Sequence, residues 1–169
     1  LKIGLISDTH SSIQDNFLEF FEPCDEIWHA GDIGNIATAD TLESRKKLRA
    51  VHGNIDGNEL RLRYPENLIF TVEGMKVFIT HIGGYPGRYN LSAQKIIQRE
   101  KPDMFICGHS HILKVIFDPK YNLLHINPGA AGNQGWHKVK TALRFDIING
   151  KPAHLEIMES PRNLAEPVH

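Results

Sequence analysis

The sequence predicts an α/β fold in one domain, with two sheets packed face to face and helices outside. Three observations carry this. The first third of the chain repeats one unit, an apolar strand, a polar loop and a helix, which is the pattern of largely parallel strands. The remainder is dominated by hairpins, with apolar residues on either side of tight turns. No stretch rich in Pro, Gly or Ser separates the two parts, and 169 residues suffice for one well-packed domain but are short for two.

The elements follow in order. Ile3 to Ser7 is a short apolar run of the buried-strand kind, followed by DTHSS. IQDNFLEFFE places Ile13, Phe17, Leu18 and Phe21 at helical spacing, with Ser11 or Ser12 as the expected cap. DEIWHAGDIGN is a second strand ending in a Gly-Asp turn. Thr38 to Lys47 forms a helix, and LRAVHGNIDG is a third strand ending in a turn. NLIFTVEGMKVFITH gives two strands joined at Glu73-Gly74. LSAQKIIQREK is helical and Pro102 closes it, after which DMFICGHSH is a strand ending in a polar loop. VIFDPKYNLLHINPG gives a strand, a turn at Asp118-Pro119 and another strand, and KTALRFDIINGKPAHLEIME is a hairpin about Asn149-Gly150. SPRNLAEPVH is polar with two prolines, so the domain is expected over residues 1–158 and a C-terminal tail over 159–169.

Composition excludes several classes. Apolar residues are 41% and charged residues 23%, the globular norm. With a formal net charge of −1 and no basic stripe, nucleic-acid binding driven by phosphate neutralisation is not expected. No apolar run reaches the length of a membrane span, and LKIGLISDTH lacks a signal-peptide cleavage site. The chain starts at Leu1, which reads as a trimmed or replaced natural start. Cys24 and Cys107 form no CxxC pair and fit reduced thiols in a cytoplasmic protein.

Polar residues recur at the predicted strand ends. Asp8 and His10 follow the first strand, Asp32 the second and Asn54 the third. His81 follows the hairpin strand, and His109 and His111 the next. In a parallel sheet these ends converge on one edge, where ligands bind. Any single His or Asp after a strand is more often a turn residue; the ordered recurrence of DxH, GD, GN, H and GHxH carries the functional reading. Two carboxylates, four imidazoles and one amide, with no thiolate, suit Mn²⁺, Fe, Zn²⁺, Ni²⁺ or Co²⁺ rather than Ca²⁺. They exceed the needs of one tetrahedral ion and suit two ions sharing a carboxylate. Such a pair clamps a phosphate and generates a hydroxide nucleophile at neutral pH.

The string SDTH, GD, GN, H, GHSH from Ile6 to His111 resembles the calcineurin-like metallophosphoesterases, and INPGAAG at Ile126 to Gly132 resembles the glycine turn of the compact YfcE-like phosphodiesterase branch. The resemblance implies a four-layer αββα sandwich of two mixed β-sheets flanked by helices. It implies one divalent ion, most readily Mn²⁺, on Asp8, His10, Asp32 and His111. A second would lie on Asp32, Asn54, His81 and His109, with Asp32 bridging. A ligating His111 or His109 also needs a polar partner to fix its tautomer. The retromer subunit Vps29 shares the scaffold and resembles a binding protein more than an enzyme, which makes a non-catalytic scaffold the rival reading. The presence of every expected ligand argues against it.

Many phosphomonoesterases of this family read GNHD or GNHE, where the His can protonate the leaving oxygen. Here that position is Ile55, which can do neither half of a proton transfer. The resemblance therefore implies a phosphodiesterase using a metal-bound hydroxide, with weak or no monoesterase activity. An apolar residue at a strand end is also commonly a core plug. His52 is a poor substitute acid, because it shares a face with Asn54 only if the strand runs on through Gly53. His29 and His125 follow strand-interior patterns and are expected to pack or hydrogen-bond, His137 to line the cleft rim, and His154 and His169 to lie at the surface and in the tail. Tyr85 and Arg88, just after His81, are candidates to contact a substrate phosphate or base, although an Arg there is more commonly a surface residue at a helix start. The expected partner is a small phosphodiester; exposed hairpin strands are compatible with a homodimer.

Overall fold

The computed structural model describes residues 1–162. The strands are β1 (Lys2–Ile6), β2 (Glu26–His29), β3 (Lys47–Ala50), β4 (Asn67–Val72), β5 (Met75–Thr80), β6 (Gly84–Tyr85), β7 (Arg88–Tyr89), β8 (Met104–Ile106), β9 (Leu113–Asp118), β10 (Leu123–Pro128), β11 (Val139–Ile148) and β12 (Lys151–Pro161). The helices are α1 (Asp15–Phe20), α2 (Ile36–Arg45), α3 (Asn58–Arg63) and α4 (Leu91–Glu100). One sheet has the order β12-β11-β1-β2-β3 and the other β4-β5-β8-β10-β9. Both are mixed. β1, β2 and β3 run parallel, as do β5, β8 and β10, while β11, β12, β4 and β9 pair antiparallel at the flanks.

The sheets pack face to face through one apolar cluster. Ile3, Leu5, Trp28, Leu143 and Phe145 come from the first sheet; Val77, Ile79, Met104, Ile106 and Ile126 from the second. Trp28 spans the seam, edge-on to Phe70 at 5.0 Å and to Phe145 at 5.9 Å, while its indole N–H donates to Glu26. Alternate residues face outward: Ile6, Ile27 and Ala142 pack on Phe17, Phe21 and Leu42 of the α1–α2 side. Phe78, Phe105 and Leu123 pack on Ala93 and Ile97 of α4. The layers are therefore helix, sheet, sheet, helix, as the resemblance implied.

Local chemistry sets the helix ends and corrects several expectations. Neither Ser11 nor Ser12 caps α1; residues before it form the His10 loop, and Gln14 is the N-cap, its side chain accepting from Ser160 and not from a helix amide. α2 starts two residues before Thr38, because Asn35 accepts from the Thr38 amide at 2.9 Å. Asn90 caps α4 in the same way, and Lys101 ends it at φ 48°, ahead of Pro102. α3 and the β6–β7 hairpin were not foreseen. The expected boundary at 158 falls inside β12, which continues through Pro161 and buries Ser160. Residues 163–169 of the expected tail, with His169, lie outside the described residues.

Candidate metal centre

The parallel strands of both sheets end on one edge, and every predicted donor lies in a loop leaving that edge. Asp8 and His10 follow β1, Asp32 follows β2 and Asn54 follows β3; His81 follows β5, and His109 and His111 follow β8. The loops interlock through backbone hydrogen bonds: Asp8 N to Gly31 O at 3.0 Å, His10 N to Asp32 O at 3.0 Å and Gly108 N to His81 O at 2.9 Å. Asp8, His10, Asp32, His109 and His111 all have positive φ, between 47° and 71°. This region disfavours residues with a Cβ, and its repeated use at one edge marks strain held by the surrounding hydrogen bonds.

Two groups of donors result. Asp8, His10 and His111 form one; Asp32, His81 and His109 form the other, with ligand atoms within 4.8 Å in each. Asp8 Oδ1 is 3.1 Å from His111 Nε2 and 3.8 Å from both His10 Nε2 and His81 Nε2. Asp32 Oδ2 is 3.1 Å from His81 Nε2 and 3.7 Å from His10 Nε2, so it lies between the groups. Asn54 Oδ1 is 3.1 Å from His109 Nδ1. His10 Nε2 and His81 Nε2 are buried with no hydrogen-bond partner among the described residues, both aimed between the carboxylates. Orphaned imidazole nitrogens facing buried carboxylates are what divalent transition-metal ions satisfy, and the thiolate-free N/O set agrees.

Electrostatics reinforce this. Burial pushes the Asp8 carboxyl up, but His10, His111, His81 and Ser7 outweigh it and hold it well below the usual carboxylate range. Burial likewise opposes the charge on Asp32 and on His81, and their pairing wins: Asp32 is lowered and His81 raised. His81 Nδ1 donates to Ala30 O at 2.8 Å, which fixes the tautomer and leaves Nε2 for a ligand.

A supporting layer was largely invisible in the sequence. Asp56 is buried, and its carboxylate accepts from the amides of Ile33 at 3.1 Å, Gly34 at 2.8 Å and Gly53 at 2.8 Å. It thereby ties the Asp32 turn to the Asn54 turn. Arg61 of α3 donates to the carbonyls of Asp56, Gly53 and Asn54 at 2.6, 3.3 and 3.1 Å. Gly53 has no room for a side chain, since a Cβ there would lie 2.0 Å from Asp32 Oδ1. Asn127 of the NPG turn donates to Gly108 O at 3.0 Å and Ser110 Oγ at 3.1 Å, bracing the GHSH loop.

The remaining candidates divide. Ile55 is 48% exposed, so the core-plug reading fails; its amide donates to Asp32 Oδ1 at 3.1 Å while its side chain stands at the surface. β3 ends at Ala50, so strand alternation does not govern His52. It lines one hollow with Asn54 and His81, and its Nδ1 donates to Tyr64 O at 2.9 Å. His29 is buried against Thr9 and the Gly31 amide, with its pKa pushed down to about 4 by burial. His125 is buried, but its ring nitrogens have no partner among the described residues. His137 reaches the site edge, 5.1 Å from the His111 ring, and donates to Gly132 O at 2.8 Å. His154 is exposed beside Asp146. Arg88 lies in β7 rather than at a helix start, and Tyr85 bonds to Ser110.

Comparison with known proteins agrees with this geometry. The calcineurin-like phosphoesterase superfamily domain matches residues 1–150. A probable metallophosphoesterase of Methanocaldococcus jannaschii is 30% identical over 136 residues, covering 76% of this chain and 67% of that protein. Among solved structures, Vps29 of Entamoeba histolytica complexed with zinc has a TM-score of 0.72 at 18% identity, over 96% of this chain and 100% of that one. An archaeal phosphodiesterase has a TM-score of 0.71 at 22% identity, over 94% and 100%. These two likenesses concern the fold. With the family match spanning both sheet centres and every loop of the site, the chain belongs to the calcineurin-like phosphoesterase superfamily.

Proposed function

We propose that the protein is a metal-dependent phosphodiesterase acting on small phosphodiesters, with weak or no monoesterase activity. Asp8, His10, Asp32 and His111 would hold one divalent ion, and Asp32, Asn54, His81 and His109 a second; Mn²⁺ suits the donors. When bound, the ions supply Lewis acidity toward the phosphoryl group and lower the pKa of water. The position of Asp32 Oδ2 between His10 and His81 supports its bridging role. Asp56 and Arg61 orient the Asn54 turn, and Ala30 O holds His81 in the tautomer that presents Nε2.

The observation that carries diester over monoester specificity is Ile55. It is half exposed directly after Asn54, and its side chain offers no proton to a leaving oxygen. General acid catalysis is typically worth about 10²–10⁴ in rate, so diesters and monoesters with good leaving groups suffer least. The rival reading is a binding scaffold of the Vps29 kind. Because one Vps29 is solved with zinc, metal content alone does not separate the two, and turnover does. The test is hydrolysis of a bis-aryl phosphodiester and of an alkyl phosphate monoester, whose poor leaving group needs an acid, by Mn²⁺-loaded protein and its Asn54→Ala variant. Diester turnover well above monoester turnover, lost in the variant, is expected. Metal binding without turnover on any phosphoester would support the scaffold.

A further inference from the structure

Two hollows flank the Asp32–His81–His109 group. One, of ≈ 270 Å³, is lined by Asn54 and His81 and mostly by further polar groups, among them His52, Asn67 and Thr80. The other, of ≈ 220 Å³, runs from His109 along Gly84, Tyr85, Arg88 and Tyr89. They share Ile82 and Asn90, so a single ridge separates them. A phosphoryl group seated at His81 and His109 therefore has a recess on each side, and a diester has two ester arms to place.

The recesses differ in chemistry. The second is walled by Tyr85, and the Tyr85 hydroxyl is latched to Ser110 of the GHSH loop, which holds the β6–β7 hairpin against the site. Arg88 lines it, and its guanidinium forms no hydrogen bond or ion pair with other described residues. A planar aromatic wall beside an unpaired guanidinium attracts a flat π-system, through ring packing and cation–π contact. The polar recess presents hydrogen-bonding groups suited to a hydroxylated arm.

Resting on the phosphodiesterase reading above, we infer that the recess between Tyr85 and Arg88 is a specificity site for a planar aromatic group carried on one ester arm. The arm is either an aryl group directly on the phosphate or the base of a nucleoside. The preferred substrate is then a diester joining such an alcohol to a polar, hydroxylated one.

The test is calorimetric binding of inorganic phosphate, methyl phosphate, phenyl phosphate and adenosine 5′-phosphate to the Mn²⁺-loaded chain. At least one aromatic ligand is expected to bind about tenfold tighter than methyl phosphate. A phenyl preference assigns the aryl source and an adenosine preference the nucleoside source. Tyr85→Ala should abolish the preference, and Arg88→Lys, which keeps charge but not the guanidinium plane, should weaken it several-fold. The preference is read within each variant as the ratio of aromatic to methyl phosphate affinity, so a general change in phosphate binding cancels. Tyr85→Phe breaks the latch but keeps the ring, and should keep the preference. Equal affinity for methyl and both aromatic phosphates, with inorganic phosphate bound and diesters cleaved, would overturn the inference while leaving the phosphodiesterase intact. An undiminished preference in Tyr85→Ala would overturn it as well. Absence of both phosphate binding and diester turnover would remove the site reading and this inference together.

Discussion

Replacing Asp56 by Asn tests whether the two turns carrying Asp32 and Asn54 are held as one unit. The carboxylate is 3% exposed. One oxygen accepts from Ile33 and Gly53, the other from Gly34. In the best orientation, an Asn side chain keeps the first two bonds as neutral ones and turns an NH₂ toward the Gly34 amide. A buried donor left unpaired costs about 1–3 kcal/mol, and hydrogen bonds to a charged group exceed neutral ones by about 1 kcal/mol each. The expected loss is therefore about 3–5 kcal/mol, against about 1 kcal/mol for a residue that merely caps its own turn. Guanidinium unfolding of the metal-free protein measures it, with an unchanged m-value indicating a loss of stability rather than a change of end state. Because the Asn54 turn loses its tie, Mn²⁺ affinity should also fall by about 10–100-fold. A loss under about 1 kcal/mol with unaltered Mn²⁺ affinity would refute the cross-brace.

Other perturbations probe separate parts of the site. Ile55→His restores a proton donor after Asn54 and should raise kcat on alkyl phosphate monoesters by about tenfold or more, with little change on bis-aryl diesters; steady-state kinetics decide it. Gly135→Ala adds a Cβ 2.2 Å from His111 Nδ1 at a φ of +123°, so calorimetric titration should show weaker metal binding at the Asp8, His10 and His111 group. His125 has its pKa pushed down to about 4 by burial, so the unfolded chain binds more protons below its ordinary value of 6.5. Stability from that residue is lost as pH falls from about 6.5 to about 4 and then levels. His125→Phe keeps the ring among Tyr85, Tyr89 and Phe105 and removes the orphaned nitrogens. Thermal unfolding should show it more stable by about 1 kcal/mol at pH 5, and flatter with pH.

What was legible in the sequence follows from range of interaction. The donors at Asp8, His10, Asp32, Asn54, His81, His109 and His111 could be placed together because a strand end and a short loop are local signals, and parallel topology does the gathering. The α3 helix escaped because NELRLR buries only Leu60 and follows a Gly-rich turn. The β6–β7 hairpin pairs two residues on each side, too few for any alternation to show. The function of Asp56 depends on amides 22 and 23 residues away, so no local pattern announces it. Ile55 was equally readable as a core plug or as the place of a missing acid, and only the path of the turn, which leaves the side chain at the surface, removes the plug.

The origin of the two donor groups has a further consequence. Asp8, His10 and Asp32 leave the first sheet, while His81, His109 and His111 leave the second. Each group therefore draws on both layers of the sandwich, so an ion held in either position would be a rivet through the seam that Trp28 and its neighbours fill from within. Chelation should then do more than silence chemistry: it should unfasten the two sheets at one edge and lower the melting temperature of the whole domain, in proportion to the logarithm of free metal. Breathing of the sandwich and occupancy of the centre become one equilibrium seen from two sides.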